Sequence, residues 1–199
     1  MAEELDRRVQ ILDAAFEEFA VKGFKGATIK SIASAAGLQS PALIYWYFPD
    51  KEALFREVLS SRVPVLRAVA DPTHLMELTP EELLPRIGRA YFAFEETDIR
   101  TLQLVIGEAV RRPEVAEMFV RSGPGRVLEF LKDYLEHQVE LGRLRPHDVR
   151  SSARGFIGML IPQLAGRMFL SAMAEDGLTD EDHLETSVNI FLSGLRAES

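Results

Sequence analysis

The chain has no cysteine among its 199 residues, which excludes disulfides, thiolate zinc sites and cysteine nucleophiles. Long apolar runs are missing too. The longest uncharged apolar run, Gly155 to Gly166, is well short of the roughly 20 residues that a bilayer-crossing helix needs. The amino-terminal MAEELDRR is charged, which reads against a secretory signal. A soluble, cytoplasmic protein with no membrane association is expected. The four histidines, His74, His137, His147 and His183, show no metal-ligand spacing. Nucleophile–base pairs and glycine-rich phosphate loops are likewise absent. No metal, cofactor or enzymatic activity is therefore predicted.

Positive charge is scarce, with a formal net charge of −8. Its distribution is uneven. From Lys22 to Lys51 there are four lysines and one acid, a local +3, while the rest of the chain holds 19 basic and 30 acidic side chains. A small basic module on an acidic body is compatible with a nucleic-acid binder whose body faces away from the phosphates.

What is present is helical periodicity throughout. The chain is organised around Thr28 to Lys51, TIKSIASAAGLQSPALIYWYFPDK. Thr28 is placed to cap a helix in which Ile29, Ile32, Ala33 and Ala36 recur at helical spacing. Gly37 suits the left-handed residue that ends it. Ser40 and Pro41 restart a helix as N-cap and first residue. This second, short helix runs to about Tyr47 and turns Leu43, Ile44, Tyr47 and Phe48 partly inward. Pro49 stops it, and Asp50 caps a third helix that begins at Lys51. Two short helices crossing at a small-residue turn predict a helix-turn-helix, whose second helix enters a major groove.

Ahead of this unit, Val9, Leu12, Phe16 and Phe19 form the apolar face of a helix ended by Gly23, with Phe24 folding back on the same core. Behind it, a helix carries Leu54, Phe55, Val58 and Leu59 to Pro64, where a proline ends or kinks it. Thr79-Pro80-Glu81-Glu82 reads as a capping box that opens a helix to about Glu95. Further helices are predicted from Asp98 through Val105 to Val110, from Glu114 to Val120, from Arg126 to Leu141, from Asp148 to Ala174 and from Thr179 to Leu195. The fold class is all-α.

Several residues also carry a family resemblance: Gly26-Ala27-Thr28, Ser31-Ile32-Ala33 with Ala36-Gly37, Tyr45 before Tyr47-Phe48, and Lys51-Glu52-Ala53-Leu54. Over about Arg8 to Leu59 the chain resembles the DNA-binding domain of the TetR family of bacterial repressors. One departure is an extra residue between Gly37 and Tyr45, in the turn around Leu38-Gln39. The resemblance implies a helix-turn-helix domain over residues 1–50 and a helical effector-binding and dimerisation domain over 51–199.

Base contacts fall to Gln39, Ser40, Pro41, Ala42, Tyr45 and Trp46 on the recognition helix. With no lysine or arginine between Ser31 and Asp50, the arginine–guanine contact is missing, so readout leans toward A and T. Trp46 departs from the polar or basic residue usual in the family. Phosphate contacts are expected from Thr28, Lys30, Tyr45, Tyr47 and Lys51, which match backbone-holding family positions, with Lys25 as a further candidate.

In the body, the resemblance implies a small-molecule pocket and a dimer interface made by the last two helices. Phe92, Phe94, Gln103, Tyr134, Met159 and Gln163 are candidate pocket residues, each a polar, aromatic or thioether side chain on a largely apolar helix; core packing is the competing reading for the aromatics. The expected function is that of a ligand-responsive transcriptional regulator, a homodimeric repressor of a palindromic double-stranded DNA operator released by a mostly hydrophobic small-molecule effector. The alternative is a helical ligand- or partner-binding protein that has lost specific DNA binding.

Overall fold

The computed structural model describes residues 2–62, 64–95, 99, 102–103, 106–107, 109–110, 113–169 and 177–196. Among them the regular elements are helices, with one isolated antiparallel bridge between Leu144 and Arg196. The all-α expectation holds. The chain folds as two compact units, Met1–Val63 with Glu96–Gly123, and Pro64–Glu95 with Pro124–Ser199.

Numbered in chain order, helices α1 (Ala2–Gly26), α2 (Ile29–Ala35), α3 (Ile44–Tyr47), α4 (Lys51–Arg62) and α7 (Pro113–Ser122) lie in the first unit. The backbone of α1 leaves helical geometry at Gly23 (φ 67°), the predicted end, and adds one more turn to Gly26. Its inner face is Ile11, Leu12, Ala15, Phe16 and Phe19, all buried. Val9, predicted for this face, is exposed, and Ile11 takes the buried place. Val9 lies on the stripe two turns before Phe16, on the rim of an open cleft of about 700 Å³ lined by α1 with Ala35 and Ala36. The core is completed by Ile32, Ala33, Ile44, Phe48, Leu54 and Phe55, with Phe119 of α7 packed against it.

The second unit contains α5 (Pro64–Ala68), α6 (Pro80–Phe92), α8 (Pro124–Glu140), α9 (Val149–Phe169) and α10 (Asp180–Ser193). Pro64 opens α5, so the proline marks a boundary between two helices. The capping box at α6 forms as predicted: Glu82 accepts from the Thr79 backbone N–H and hydroxyl, both at 2.8 Å. This helix stops at Phe92 rather than Glu95. Arg167 meets this end of the helix, its Nη1 and Nη2 donating to the Phe92 and Phe94 carbonyls at 2.7 and 2.8 Å. The same guanidinium reaches Asp180 at 3.2 Å, which ties the end of α6 to α9 and to the start of α10. Asp98, Val105 and the predicted end of the penultimate helix at Ala174 lie outside the described residues.

Candidate DNA-binding site

The helix-turn-helix assembles from local rules. Thr28 caps α2: its hydroxyl accepts from Ser31 N at 3.0 Å, and Ser31 Oγ accepts from Thr28 N at 3.1 Å. At the other end Gly37 takes φ 63°. Leu38 N donates to Ala33 O at 2.8 Å and Gly37 N to Ser34 O at 3.1 Å, the paired bonds of a glycine-terminated helix. Ser40 is extended and accepts from Ala42 N at 3.2 Å, starting a 3₁₀ turn over Pro41–Leu43 that leads directly into α3. The turn between the two helices is thus closed at one end by backbone hydrogen bonds and at the other by the Ser40 side chain.

The recognition helix is pinned from below by Ile44 and Phe48, both buried. Leu43 is a correction: expected partly inward beside Ile44, it is exposed at the end of the 3₁₀ turn, while Ile44 is buried in the core as expected. Outward stand Gln39, Pro41, Ala42, Tyr45 (53% exposed) and Trp46 (86% exposed). These five predicted readout residues lie on one short segment, and Ser40, half-buried, serves as its cap. A fully presented indole on a four-residue helix has no packing role to perform.

The predicted phosphate ligands divide. Thr28 and Lys30 are exposed at the start of α2. The Thr28 hydroxyl acts as acceptor in the cap, which leaves its O–H proton to donate outward. Lys25 is exposed in the last turn of α1. Tyr47 is half-buried and packs against the core. Lys51 differs from the others: its ammonium donates to Phe24 O at 2.8 Å and Ala27 O at 3.0 Å and stands 4.5 Å above the Phe24 ring. Burial lowers its pKa from the ordinary lysine value. Reading the sequence missed this seat; the one signal was a cation in the first turn of α4, where the helix dipole disfavours it.

Two other cations of the head are engaged elsewhere. Lys22 pairs with Glu18 at 2.7 Å, and this hydrogen bond lowers the Glu18 carboxyl below its usual range. Arg8 pairs with Glu57 at 3.1 Å and lies 5.2 Å over the Phe48 ring. Lys30 is exposed in the first turn of α2.

Of the candidate pocket residues, Gln103 is half-buried in the first unit. The other five are in the second. Phe92 and Phe94 are buried; Tyr134 is fully buried, with its hydroxyl donating to Leu78 O at 2.8 Å. The Met159 carbonyl lies 2.6 Å from His183 Nε2, and Gln163 Nε2 donates to Asp180 Oδ1 at 2.9 Å. Within the second unit a groove of about 270 Å³ runs between α6 and α10 over Pro85, Leu184, Val188 and Leu192, bordered by the Arg89–Glu181 ion pair. None of the six candidates lines this groove or the cleft beside α1. No described helix is long and apolar enough to cross a membrane.

This arrangement has clear relatives. A family model described as bacterial regulatory proteins, tetR family, matches residues 11–58. A second, described as the AefR-like transcriptional repressor C-terminal domain, matches residues 82–194. The chain is 26% identical over 197 residues to the HTH-type transcriptional regulator SrpR of Pseudomonas putida, covering 98% of this chain and 86% of SrpR. Among solved structures, a TetR-family transcriptional regulator of Mesorhizobium loti is 26% identical with a TM-score of 0.72, over 97% of this chain and 98% of that one. The flavonoid-responsive regulator FrrA is also 26% identical, with a TM-score of 0.69 over 98% and 99%. Helix-turn-helix geometry, two family models and full-length relatives agree: the chain belongs to the TetR family of bacterial transcriptional regulators.

Proposed function

We propose that the protein is a homodimeric repressor that binds a palindromic operator through α3 and is released by a small, mostly hydrophobic effector. The observation that carries this reading is the presented segment Gln39 to Trp46, anchored from below by Ile44 and Phe48 and flanked by Thr28 and Lys30. Gln39 supplies an amide suited to adenine, and Pro41, Ala42, Tyr45 and Trp46 supply apolar surface suited to thymine methyls. Thr28, Lys30 and the Tyr45 and Tyr47 hydroxyls hold the backbone, with Lys25 adding charge. An operator dependent on A and T at the positions α3 reaches follows from this inventory.

Dimerisation through α9 and α10 is supported by the surface those helices leave open. Gly155, Gly158, Ile161 and Pro162 on α9 and Ile190 on α10 are exposed, and nothing lies within 4 Å of where a side chain would start at Gly155 or Gly158. Such bare helix faces allow close approach of a second helix pair. Two recognition helices related by a two-fold axis would then enter successive major grooves roughly 34–36 Å apart. For the effector, the apolar interior of the second unit and the flavonoid response named for FrrA support a planar hydrophobic compound. Its binding would favour a head spacing that no longer fits the operator.

Selection of bound sequences from a random duplex library at moderate salt tests the reading. An A/T-leaning inverted repeat is the expected product, and flavonoids added to the complex are expected to release it. Recovery of no motif from folded dimer, before and after refolding to strip bound ligand, would sink it in favour of a helical binding protein without a DNA target.

A further inference from the structure

From Leu38 to Phe48 the apolar side chains divide by burial. Ile44 and Phe48 are buried, Leu38 and Tyr47 are half-buried against the same core, and Leu43 is 39% exposed. The Leu43 backbone is fixed nonetheless. It is helical (φ −64°, ψ −28°), and its N–H donates to Ser40 O at 3.1 Å. Its neighbours are exposed as well: Pro41 and Ala42 precede it, and Trp46 follows three places on, the spacing of residues on one side of a helix. The segment thus presents apolar surface near the start of the recognition helix, where side chains reach base edges. A major groove offers such a surface one apolar feature, the C5-methyl of thymine; its other edge groups form hydrogen bonds. An alkyl side chain set over the amino group of cytosine or the oxygen of guanine displaces water and returns no hydrogen bond. Set over a thymine methyl, it buries apolar area on both partners. Ala42 carries a single methyl and the Pro41 ring is tied back to the backbone, so Leu43 extends further from the chain than either.

We propose that Leu43 is a specificity-determining residue that reads a C5-methyl group in the major groove of the operator. The inference rests on the DNA-binding reading above and sharpens it, because it requires a methyl group and not merely an A·T pair. The two are chemically separable. Deoxyuridine pairs as thymidine does but lacks the methyl, and 5-methylcytosine carries the methyl on a G·C pair.

Each thymine of the selected operator is replaced by uracil, symmetrically in both half-sites, and affinity is measured for the unmutated protein and for Leu43→Ala. At one position the replacement is expected to weaken the unmutated protein on the order of tenfold, about fourfold for each methyl lost. The same replacement should change Leu43→Ala binding by less than about twofold, since the residue that met the methyl is gone. With cytosine at that position, 5-methylation should tighten binding of the unmutated protein and leave Leu43→Ala unaffected. Uracil effects that are the same in both proteins at every position, or the absence of any thymine whose methyl matters, overturn the proposal. In the complex of the unmutated protein, nuclear Overhauser contacts from that thymine methyl are expected to reach the Leu43 methyl groups. Contacts only to other side chains overturn the proposal even if Leu43→Ala does not fold. Failure of the unmutated protein to select any sequence overturns the DNA-binding reading and this inference together, whereas an operator bound without a methyl effect tied to Leu43 overturns this inference alone.

Discussion

Gly88 of α6 lies directly beneath Leu184 of α10, so close that a β-carbon at position 88 would overlap a Leu184 methyl. Leu184 is itself almost fully buried and has little room to turn away. Gly88→Ala is expected to destabilise the protein by about 1–3 kcal/mol in urea unfolding. Because the cost arises from one collision, Leu184→Ala combined with Gly88→Ala should cost clearly less than the two single changes added together. Strict additivity would show that the clash is relieved elsewhere.

Tyr134 is held in the second unit by burial and by one hydrogen bond to Leu78 O. Removing that bond with Tyr134→Phe should cost about 1 kcal/mol, leaving the carbonyl unserved. Burial raises the phenol pKa well above its ordinary value. The folded state therefore favours the protonated form, and this stabilisation is present below the unfolded pKa of about 10 and is lost as pH rises beyond it. Urea midpoints measured from neutral to strongly alkaline pH should fall more steeply for the unmutated protein than for Tyr134→Phe.

Trp46 is the single tryptophan in the chain and is 86% exposed. Its fluorescence should resemble that of free indole in water and change on addition of operator. Trp46→Ala should leave the melting temperature within a few degrees of the original, as expected for a surface change, while weakening operator binding. Unchanged emission at saturating operator would remove Trp46 from the interface.

The exposed faces of α9 and α10 carry Ile161 (49% exposed) and Ile190 (58%). A lysine at either position would desolvate an unpaired charge in the proposed dimer. Ile161→Lys and Ile190→Lys are expected to sediment as folded monomers at concentrations where the original is dimeric, and to bind a full operator far more weakly. Dimers that survive both changes would place the interface on another surface.

The local devices of the fold were legible in the sequence because each is a short-range competition for backbone hydrogen bonds. Thr28, Ser40 and Thr79 act as caps, Gly37 ends α2, and Pro64 starts a new helix where these residue types predict. The family was legible for the same reason, since its motif consists largely of these caps and of the apolar residues that bury them. Absences were informative as well: a recognition helix without arginine or lysine limits its own readout chemistry whatever its surroundings.

What periodicity alone did not decide was which end of a stripe finds a cover. Val9 and Leu43 satisfy the helical pattern yet stay exposed, because burial depends on a neighbour from elsewhere in the chain. Arg167 meets the last carbonyl of α6 from 75 residues away, a distance over which sequence pattern carries no information. Lys51 is the sharpest case. Its motif position and charge imply a phosphate contact, but a lysine's long stem lets the ammonium serve whichever acceptor lies within reach. Only the tertiary fold, by bringing the Phe24 and Ala27 carbonyls beside it, decided which protein acceptors its ammonium meets.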